Sequence, residues 1–343
     1  MPQRLRAGLI GCGFYSRNHL HAWRDLAEDV ELVAVCDRNE QKAAEAAKAF
    51  DVPRWYSDAA QMFEAESLDF VDIVTTMPSH KPLVLLAASH KLPVVVQKPF
   101  APTWQDCLDM VEACRHAGVP LMVHENFRFQ SPILEVRRVL EAGTIGDLTW
   151  ARINWRTGYD IFAGQPYLAA EERFILLDIG VHVLDLARVL LGEVERVFCE
   201  AQSIRPGIAG EDMATVLLRH VNGAASVVDC SYAAKRDPDP FPEVLLEIEG
   251  RRGSLILSAG LELRVTSDGT TTVRSLRTPL LPWTSEPWHV SQESVLNTQR
   301  HWVECLRAGR EPETAGRDNL KTYALVEAAY ESASSHRAVR LNK

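Results

Sequence analysis

The sequence predicts an α/β protein of two domains, with a parallel sheet first and a mostly antiparallel sheet after it. Three observations carry that expectation. Short apolar runs alternate with helical patterns over the first third of the chain, as in a parallel sheet covered on both faces. After about residue 125 the pattern becomes alternating apolar and polar residues punctuated by turns, as in an antiparallel meander. The length, 343 residues, exceeds one typical core and suits two.

In the first domain, placed at 1–124, the apolar runs are Leu5–Ile10, Leu32–Cys36, Phe70–Thr75, Pro93–Gln97 and Val119–Val123. Helical patterns near 17–27, 40–50, 80–91 and 103–117 lie between them, with a shorter helix from Asp58 to Glu64. The second domain is placed at 125–343. It opens with a helix near 131–142 that stops at Gly143, then a strand over 148–155. The apolar segment Phe174–Leu191 ends at Gly192, a suitable helix stop. From Glu195 to about Val273 the meander turns at Asn222-Gly223, Glu249-Gly250, Ala259-Gly260 and Asp268-Gly269. The loop Asp237-Pro238-Asp239-Pro240-Phe241-Pro242 interrupts it. Helices near 291–308 and 317–335 close the chain, and no internal repeat or low-complexity tract is present.

A net charge of −9 argues against a nucleic-acid surface and against an electrostatic membrane anchor. No apolar run reaches the ~18 residues that span a bilayer. Met1–Arg6 leads straight into a strand and a glycine turn, so no secretory signal and a cytoplasmic location are expected. Cysteines 12, 36, 107, 114, 199, 230 and 305 are scattered, without a Cys-x-x-Cys pair. They are expected to be reduced core residues rather than disulfides or zinc ligands.

Gly11-Cys12-Gly13-Phe14-Tyr15-Ser16 follows the first strand and opens a helix. It is a G-x-G-x-x-G turn with serine at the third glycine. The first glycine permits the turn, the second lets a pyrophosphate approach the backbone, and the helix N-terminus offers N–H groups to phosphate. Asp37 ends the second strand, where a carboxylate binds an adenine-ribose hydroxyl and repels a 2′-phosphate. Asp37 therefore favours NAD, while Arg38 keeps NADP open. Thr75-Thr76-Met77-Pro78-Ser79-His80 closes the next strand and suits a loop along a nicotinamide ribose; as an ordinary turn, Ser79 would cap the following helix.

Lys98 ends the strand after that, beside Pro99, which disfavours helical geometry there. A charge at the end of a buried strand is costly. Its plain alternative is a lysine snorkelling from a sheet end. Asp178 and His182 lie four apart in the apolar segment, on one face if it is helical. Ionisable groups there need partners, and a satisfied core histidine is the ordinary alternative. Asp185 adds a metal reading, Asp-His-Asp, which the lack of a second histidine at ligand spacing disfavours; no metal is expected.

Together these motifs resemble the Gfo/Idh/MocA family of nicotinamide-dependent sugar and polyol oxidoreductases. The glycine turn, the Thr75–His80 loop, Lys98-Pro99, Glu125-Asn126-Phe127-Arg128-Phe129, Gly143-Thr144-Ile145-Gly146 and Asp178-x-x-x-His182 carry the resemblance over nearly the whole chain. It implies an N-terminal Rossmann domain and a C-terminal α/β domain whose open, mostly antiparallel sheet forms a dimer or tetramer interface. It also implies Lys98, Asp178 and His182 as the catalytic set. The cofactor is then expected on Gly11, Gly13, Phe14, Tyr15, Asp37, Arg38, Thr75, Thr76, Pro78, His80, Gln97, Lys98 and Asn126. A sugar is expected on Lys98, Arg156, Tyr159, Tyr167, Asp178 and His182, with Phe174, Trp283, Trp288 and His289 as further candidates.

One position departs from the family. Gln97 stands where a glutamate is usual, keeping its shape and hydrogen-bonding capacity without the charge. Within the family the chain is most similar to the D-apiose dehydrogenases. The resembling stretches are Gln97-Lys98-Pro99-Phe100, His124–Arg128, Gly164-Gln165-Pro166-Tyr167-Leu168, Pro282-Trp283 and Pro287-Trp288-His289. That likeness implies oxidation of a branched furanose at its anomeric carbon to a lactone. Other sugars or inositols, transient oxidation by NAD in glycoside cleavage, and a sensor without catalysis are the rival readings of the same fold.

Overall fold

The computed structural model describes residues 3–278 and 280–341. The chain forms two compact units, Met1–Asn126 with Ser294–Lys321, and Phe127–Glu293 with Thr322–Lys343. A single division at 124/125 assigns residues 294–321 to the second domain, whereas the structure groups them with the first. Hydrogen bonds show why: Thr314 Oγ1 donates to the Val123 carbonyl and the Val123 N–H donates to the Thr314 carbonyl.

The first unit runs β1 (Leu5–Ile10), α1 (Ser16–Asp25), β2 (Val30–Cys36), α2 (Glu40–Ala49), β3 (Arg54–Tyr56), α3 (Ala59–Ala65), β4 (Phe70–Ile73), α4 (His80–Ser89), β5 (Val94–Gln97), α5 (Trp104–Ala117) and β6 (Leu121–His124). Every strand pairing is parallel and the order is β3-β2-β1-β4-β5-β6. That is the doubly wound order of a Rossmann sheet, which reverses direction between β1 and β4. Local chemistry sets the helix starts. Asn39, Asp58 and Thr103 each accept a first-turn backbone N–H, of Lys42, Gln61 and Asp106 respectively. Gly118, at φ 71°, ends α5 in the left-handed conformation. The register aligns the strand ends: Ile10 pairs with Cys36 and Ile73, Ile73 with Val96, and Gln97 with His124. The residues that follow each strand therefore share one edge of the sheet.

In the second unit come α6 (Ser131–Glu141), β7 (Leu148–Arg156), α7 (Val181–Leu191), β8 (Val194–Gln202), β9 (Met213–His220), β10 (Ala225–Ser231), β11 (Leu245–Gly250), β12 (Gly253–Ser258), β13 (Glu262–Ser267) and β14 (Thr270–Ser275). In chain order α8 (His289–Ala308), whose residues from Ser294 onward belong to the first unit, α9 (Gly316–Ser335), which passes into the second unit at Thr322, and the short β15 (Val339–Arg340) follow. The nine-stranded order is β14-β13-β12-β11-β7-β10-β9-β8-β15. All pairings are antiparallel except β7 with β10, which are parallel. One face of this sheet is core: Val197, Leu218, Ser226, Ala151, Ile248, Leu255 and Val265 form one buried row across it. Helix α7 packs against β7 and β10.

One local feature differs from the sequence expectation. The apolar segment is not one regular helix, because Leu176–Gly180 forms a π turn ahead of α7. Such widened turns occur mostly as single inserts at functional sites, and this one contains Asp178. The seven cysteines are all free and six are buried. Burial pushes the half-buried Cys12 thiol up to about 12, with Asp37 adding to the effect. No described helix is long and apolar enough to cross a membrane.

Candidate active site

The first unit gathers the expected cofactor residues along the carboxyl edge of its sheet. Gly11 follows β1 at φ 98°, and a Cβ there would meet the Val74 carbonyl oxygen at 2.5 Å. Only glycine fits both constraints. A Cβ on Gly13 would meet nothing within 4 Å, so this part of the turn is open to a ligand. No side chain caps α1: Ser16 Oγ donates back to the Gly13 carbonyl at 2.7 Å. An uncapped helix start beside an open glycine turn fits a pyrophosphate.

Asp37 is anchored by both oxygens, accepting from the Cys12 N–H at 2.8 Å and the Asn39 N–H at 2.9 Å. Its carboxylate thus stands fixed beside the glycine turn, as ribose binding requires. Arg38 and Phe14 are exposed beside it.

In the Thr75–His80 loop, Ser79 does not cap α4. Its hydroxyl donates to the Thr76 carbonyl and lies against the Thr75 hydroxyl, both at 2.7 Å, because the loop tightens into a 3-10 turn over Met77–Ser79. Thr76 and Pro78 stay exposed. His80 is fully buried between the carbonyls of Thr75 and Phe100, each 3.1 Å from a ring nitrogen, and burial holds its pKa below the ordinary value. It ties this loop to the segment after Lys98 and does not face solvent. Lys98 is half-buried, directly after β5, and its peptide to Pro99 is cis. Asn126 is buried; its Nδ2 donates to Ser294 Oγ at 2.6 Å and lies 3.5 Å from the Tyr15 hydroxyl.

Beneath Lys98 lies a polar chain that the motif reading missed. Gln97 Oε1 accepts the Lys98 N–H at 2.8 Å, and Gln97 Nε2 lies 3.0 Å from His19 Nε2. His19 Nδ1 lies 2.8 Å from Asp72 Oδ2, which also accepts from Trp23 Nε1 at 2.8 Å. His19 and Asp72 are both 0% exposed. The available signal was an aspartate inside the apolar run Phe70-Val71-Asp72-Ile73, which requires a buried partner.

The second unit fixes Asp178 and His182 in different ways. Asp178 accepts from the Tyr232 hydroxyl at 3.1 Å. Burial, and then Asp178 itself, push the Tyr232 phenol far above its ordinary value, so it remains a donor. His182 is 2% exposed and stacks on Phe127, with ring centroids 3.9 Å apart and planes 5° from parallel. Asp185, fully buried, takes Arg128 Nε and Nη2 at 2.5 and 2.7 Å and Thr322 Oγ1 at 2.5 Å. Its carboxylate serves an ion pair, and no described group of three His, Cys, Asp or Glu is placed to hold a metal ion.

The sugar candidates divide. Tyr159 stacks on Phe241 at 4.1 Å, and Trp288 meets both rings edge-on. Phe241, from the proline-rich loop, was not anticipated in this cluster. Asp239 holds the same corner, accepting from Thr157 Oγ1 and the Gly158 N–H, each at 2.7 Å. Burial pushes its carboxyl up, but these bonds and the Phe241 N–H outweigh it and hold it below the ordinary value. Arg156 is half-buried, with Nη2 3.2 Å from Met213 Sδ. Tyr167 is exposed and bonds Gln165. Phe174 is a core residue stacked on Tyr232. Trp283 and His289 are half-buried.

A doubly wound sheet whose first glycine turn, acidic second strand end and later strand-end lysine share one edge defines a dinucleotide-dependent oxidoreductase. The chain belongs to the Gfo/Idh/MocA family. Residues 5–125 match the family's oxidoreductase model, an NAD-binding Rossmann fold, and residues 133–256 match its C-terminal domain. D-apiose dehydrogenase of Paraburkholderia graminis is 53% identical over 340 residues, 99% of this chain and 90% of that protein. D-apiose dehydrogenase of Rhizobium rhizogenes is 50% identical over 335 residues, 98% of this chain and 97% of that one. An oxidoreductase from Agrobacterium radiobacter, crystallised with NAD+, L-tartaric acid and magnesium, is 49% identical, with a TM-score of 0.97 over 98% of each chain. Family, subgroup resemblance and fold class thus agree with the motif reading.

Proposed function

We propose that this chain oxidises D-apiose at its anomeric carbon, with NAD as hydride acceptor, to D-apionolactone. The observation that carries the reading is identity of 53% and 50%, over nearly the full length, to two D-apiose dehydrogenases. Asp37, fixed beside the glycine turn, supports NAD over NADP.

In the proposed reaction the anomeric carbon loses a hydride while its hydroxyl loses a proton, leaving the lactone carbonyl. NAD, when bound, supplies the hydride acceptor. His182 takes the hydroxyl proton, the task for which imidazole chemistry suits working pH. Lys98 donates to the same oxygen and offsets its developing charge. Asp178, held by Tyr232, orients a sugar hydroxyl. Exchanging the roles of Lys98 and His182 gives the same products. Arg156, Tyr159 and Tyr167 are assigned to the sugar.

The test is NADH formation from NAD and D-apiose, with other pentoses, hexoses and inositols alongside. Turnover strongest with D-apiose is expected. Preference for another sugar discards the substrate and keeps the chemistry; no NADH from protein that binds NAD overturns both.

We further propose a homodimer or homotetramer formed through the open face of the second sheet. Phe198, Leu217, Val227, Arg152, Glu247 and Ile256 lie in one register row across six strands, opposite the buried face. Leu217 is 49% exposed and Ile256 36%. Apolar residues with paired charges suit a second copy of the same face. Light scattering is expected to give a multiple of 38.3 kDa, and Leu217→Asp a smaller species. A wild-type monomer rules the interface out.

A further inference from the structure

We propose that Gln97 is a positioning residue: it holds His19 as the neutral Nδ1–H tautomer and, through the same amide, fixes the backbone at Lys98. The catalytic significance rests on the reading of Lys98 above; the hydrogen-bond chain itself does not.

One donor in this chain cannot be reversed. The backbone N–H of Lys98 points at a Gln97 amide atom 2.8 Å away. That atom must be the carbonyl oxygen, because the flipped amide would set donor against donor. The amide nitrogen then faces His19 Nε2 at 3.0 Å. It donates, so Nε2 carries a lone pair. The imidazole proton is therefore on Nδ1, 2.8 Å from Asp72 Oδ2, where a donor is needed. Every bond runs one way, from Lys98 N–H through Gln97 and His19 to the Asp72 carboxylate.

The surroundings agree. Among the described contacts of His19 are Asp72 from β4, Gln97 from β5 and the His124 ring from β6, its centroid 4.3 Å away. The Tyr15 ring lies edge-on at 5.7 Å, and Gln299 Nε2 reaches both the His19 carbonyl and Asp72 Oδ2 at 3.5 Å. Asp72 is the one carboxylate among them, and Trp23 also donates to it. A charged His19 would lie against a second imidazole, and the Gln97 amide would oppose it with a donor.

A carboxylate at position 97 reverses this logic. It still accepts the Lys98 N–H, but it presents an acceptor to His19 Nε2. With both carboxylates ionised, only a doubly protonated imidazole satisfies Asp72 and Glu together. Gln97→Glu is therefore expected to bring one proton into this buried site, onto His19.

Nitrogen-15 NMR of histidine-labelled protein tests the chain directly, with His19 identified by its loss in His19→Gln. At pH 7 the wild-type signal is expected to be that of a neutral Nδ1–H imidazole, and that of Gln97→Glu an imidazolium. A wild-type Nε2–H tautomer or imidazolium overturns the proposal, as does a neutral His19 in Gln97→Glu. If Gln97→Glu does not fold, the wild-type spectrum still decides.

Turnover tests the positioning. His19→Gln preserves one donor and one acceptor but cannot take up a proton. Combining it with Gln97→Glu is expected to lower kcat/KM at least about tenfold below the product of the single effects, since the sites are coupled. Independent effects overturn the positioning role. The spectra need no substrate, so a failed Lys98 assignment leaves the tautomer result standing, and the reverse holds.

Discussion

Lys98→Ala and His182→Ala are each expected to lower kcat by about two to four orders of magnitude while NAD still binds. The reason differs for each. Removing the Lys98 amine takes away the donor proposed to meet charge growing on the hydroxyl oxygen. Removing the imidazole takes away the proposed proton acceptor. Neither side chain belongs to the glycine turn or to Asp37, so NAD is expected still to bind, with any loss of affinity confined to the one cofactor contact assigned to Lys98. Cofactor titration by fluorescence and steady-state NADH formation separate the two quantities. The pH profile then assigns the roles. Loss of the base removes the acidic limb of kcat, whereas loss of the electrostatic partner lowers the whole profile. Near-normal turnover in both variants rules out the assignment.

A lesser change at His182 follows from its packing. The ring lies flat on Phe127, and Phe127 begins the segment that carries Arg128. The Phe127–Arg128 pair therefore sets both the plane of the imidazole and the ion pair beneath its helix.

Much of this was legible in the sequence, for reasons that can be stated. β1 is the run Leu5–Ile10 because the glycine turn that follows it cannot continue a strand. The α2, α3 and α5 starts carry Asn39, Asp58 and Thr103, caps with a local chemistry. Lys98 stands out because nothing in an apolar strand explains a lysine at its end.

What escaped notice depends on contacts distant in sequence. The strand Arg54–Tyr56 is three residues long, at the sheet edge and largely exposed, so neither periodicity nor burial marks it. Residues 294–321 read as an ordinary helix and loop; only pairing with Val123 gives them their place. Helical spacing put Asp178 and His182 on one face, but it did not reveal the π turn around Asp178. Nor did it show that each residue is held by an aromatic side chain from elsewhere, Tyr232 and Phe127. Gln97 departs visibly from the family in sequence, yet its role depends on His19 and Asp72, 78 and 53 residues from their respective partners.

Asp185→Ala is expected to be strongly destabilising to the second unit. Asp185 is fully buried and receives both Arg128 contacts, the Thr322 hydroxyl, and Arg188 at 3.7 Å. Alanine leaves the Arg128 guanidinium, itself 4% exposed, without this carboxylate. Breaking a buried pair from one side costs about 3–5 kcal/mol, because the remaining charge stays out of water. For a unit of this size that is a fall in Tm of roughly 10 °C. Calorimetry or denaturant unfolding measures it. The comparison that isolates the cause is Arg128→Leu combined with Asp185→Leu, which removes both charges and keeps most of the volume. The double variant is expected to be more stable than Asp185→Ala, since it removes the buried guanidinium together with the carboxylate that faces it. If the double variant is no more stable than the single, the network contributes through packing alone. Stability and catalysis also meet here. Asp185 lies three residues beyond His182 on α7, and Arg128 adjoins the ring stacked on that histidine. Asp185→Ala is therefore expected to lower kcat well below the temperature at which it unfolds the protein.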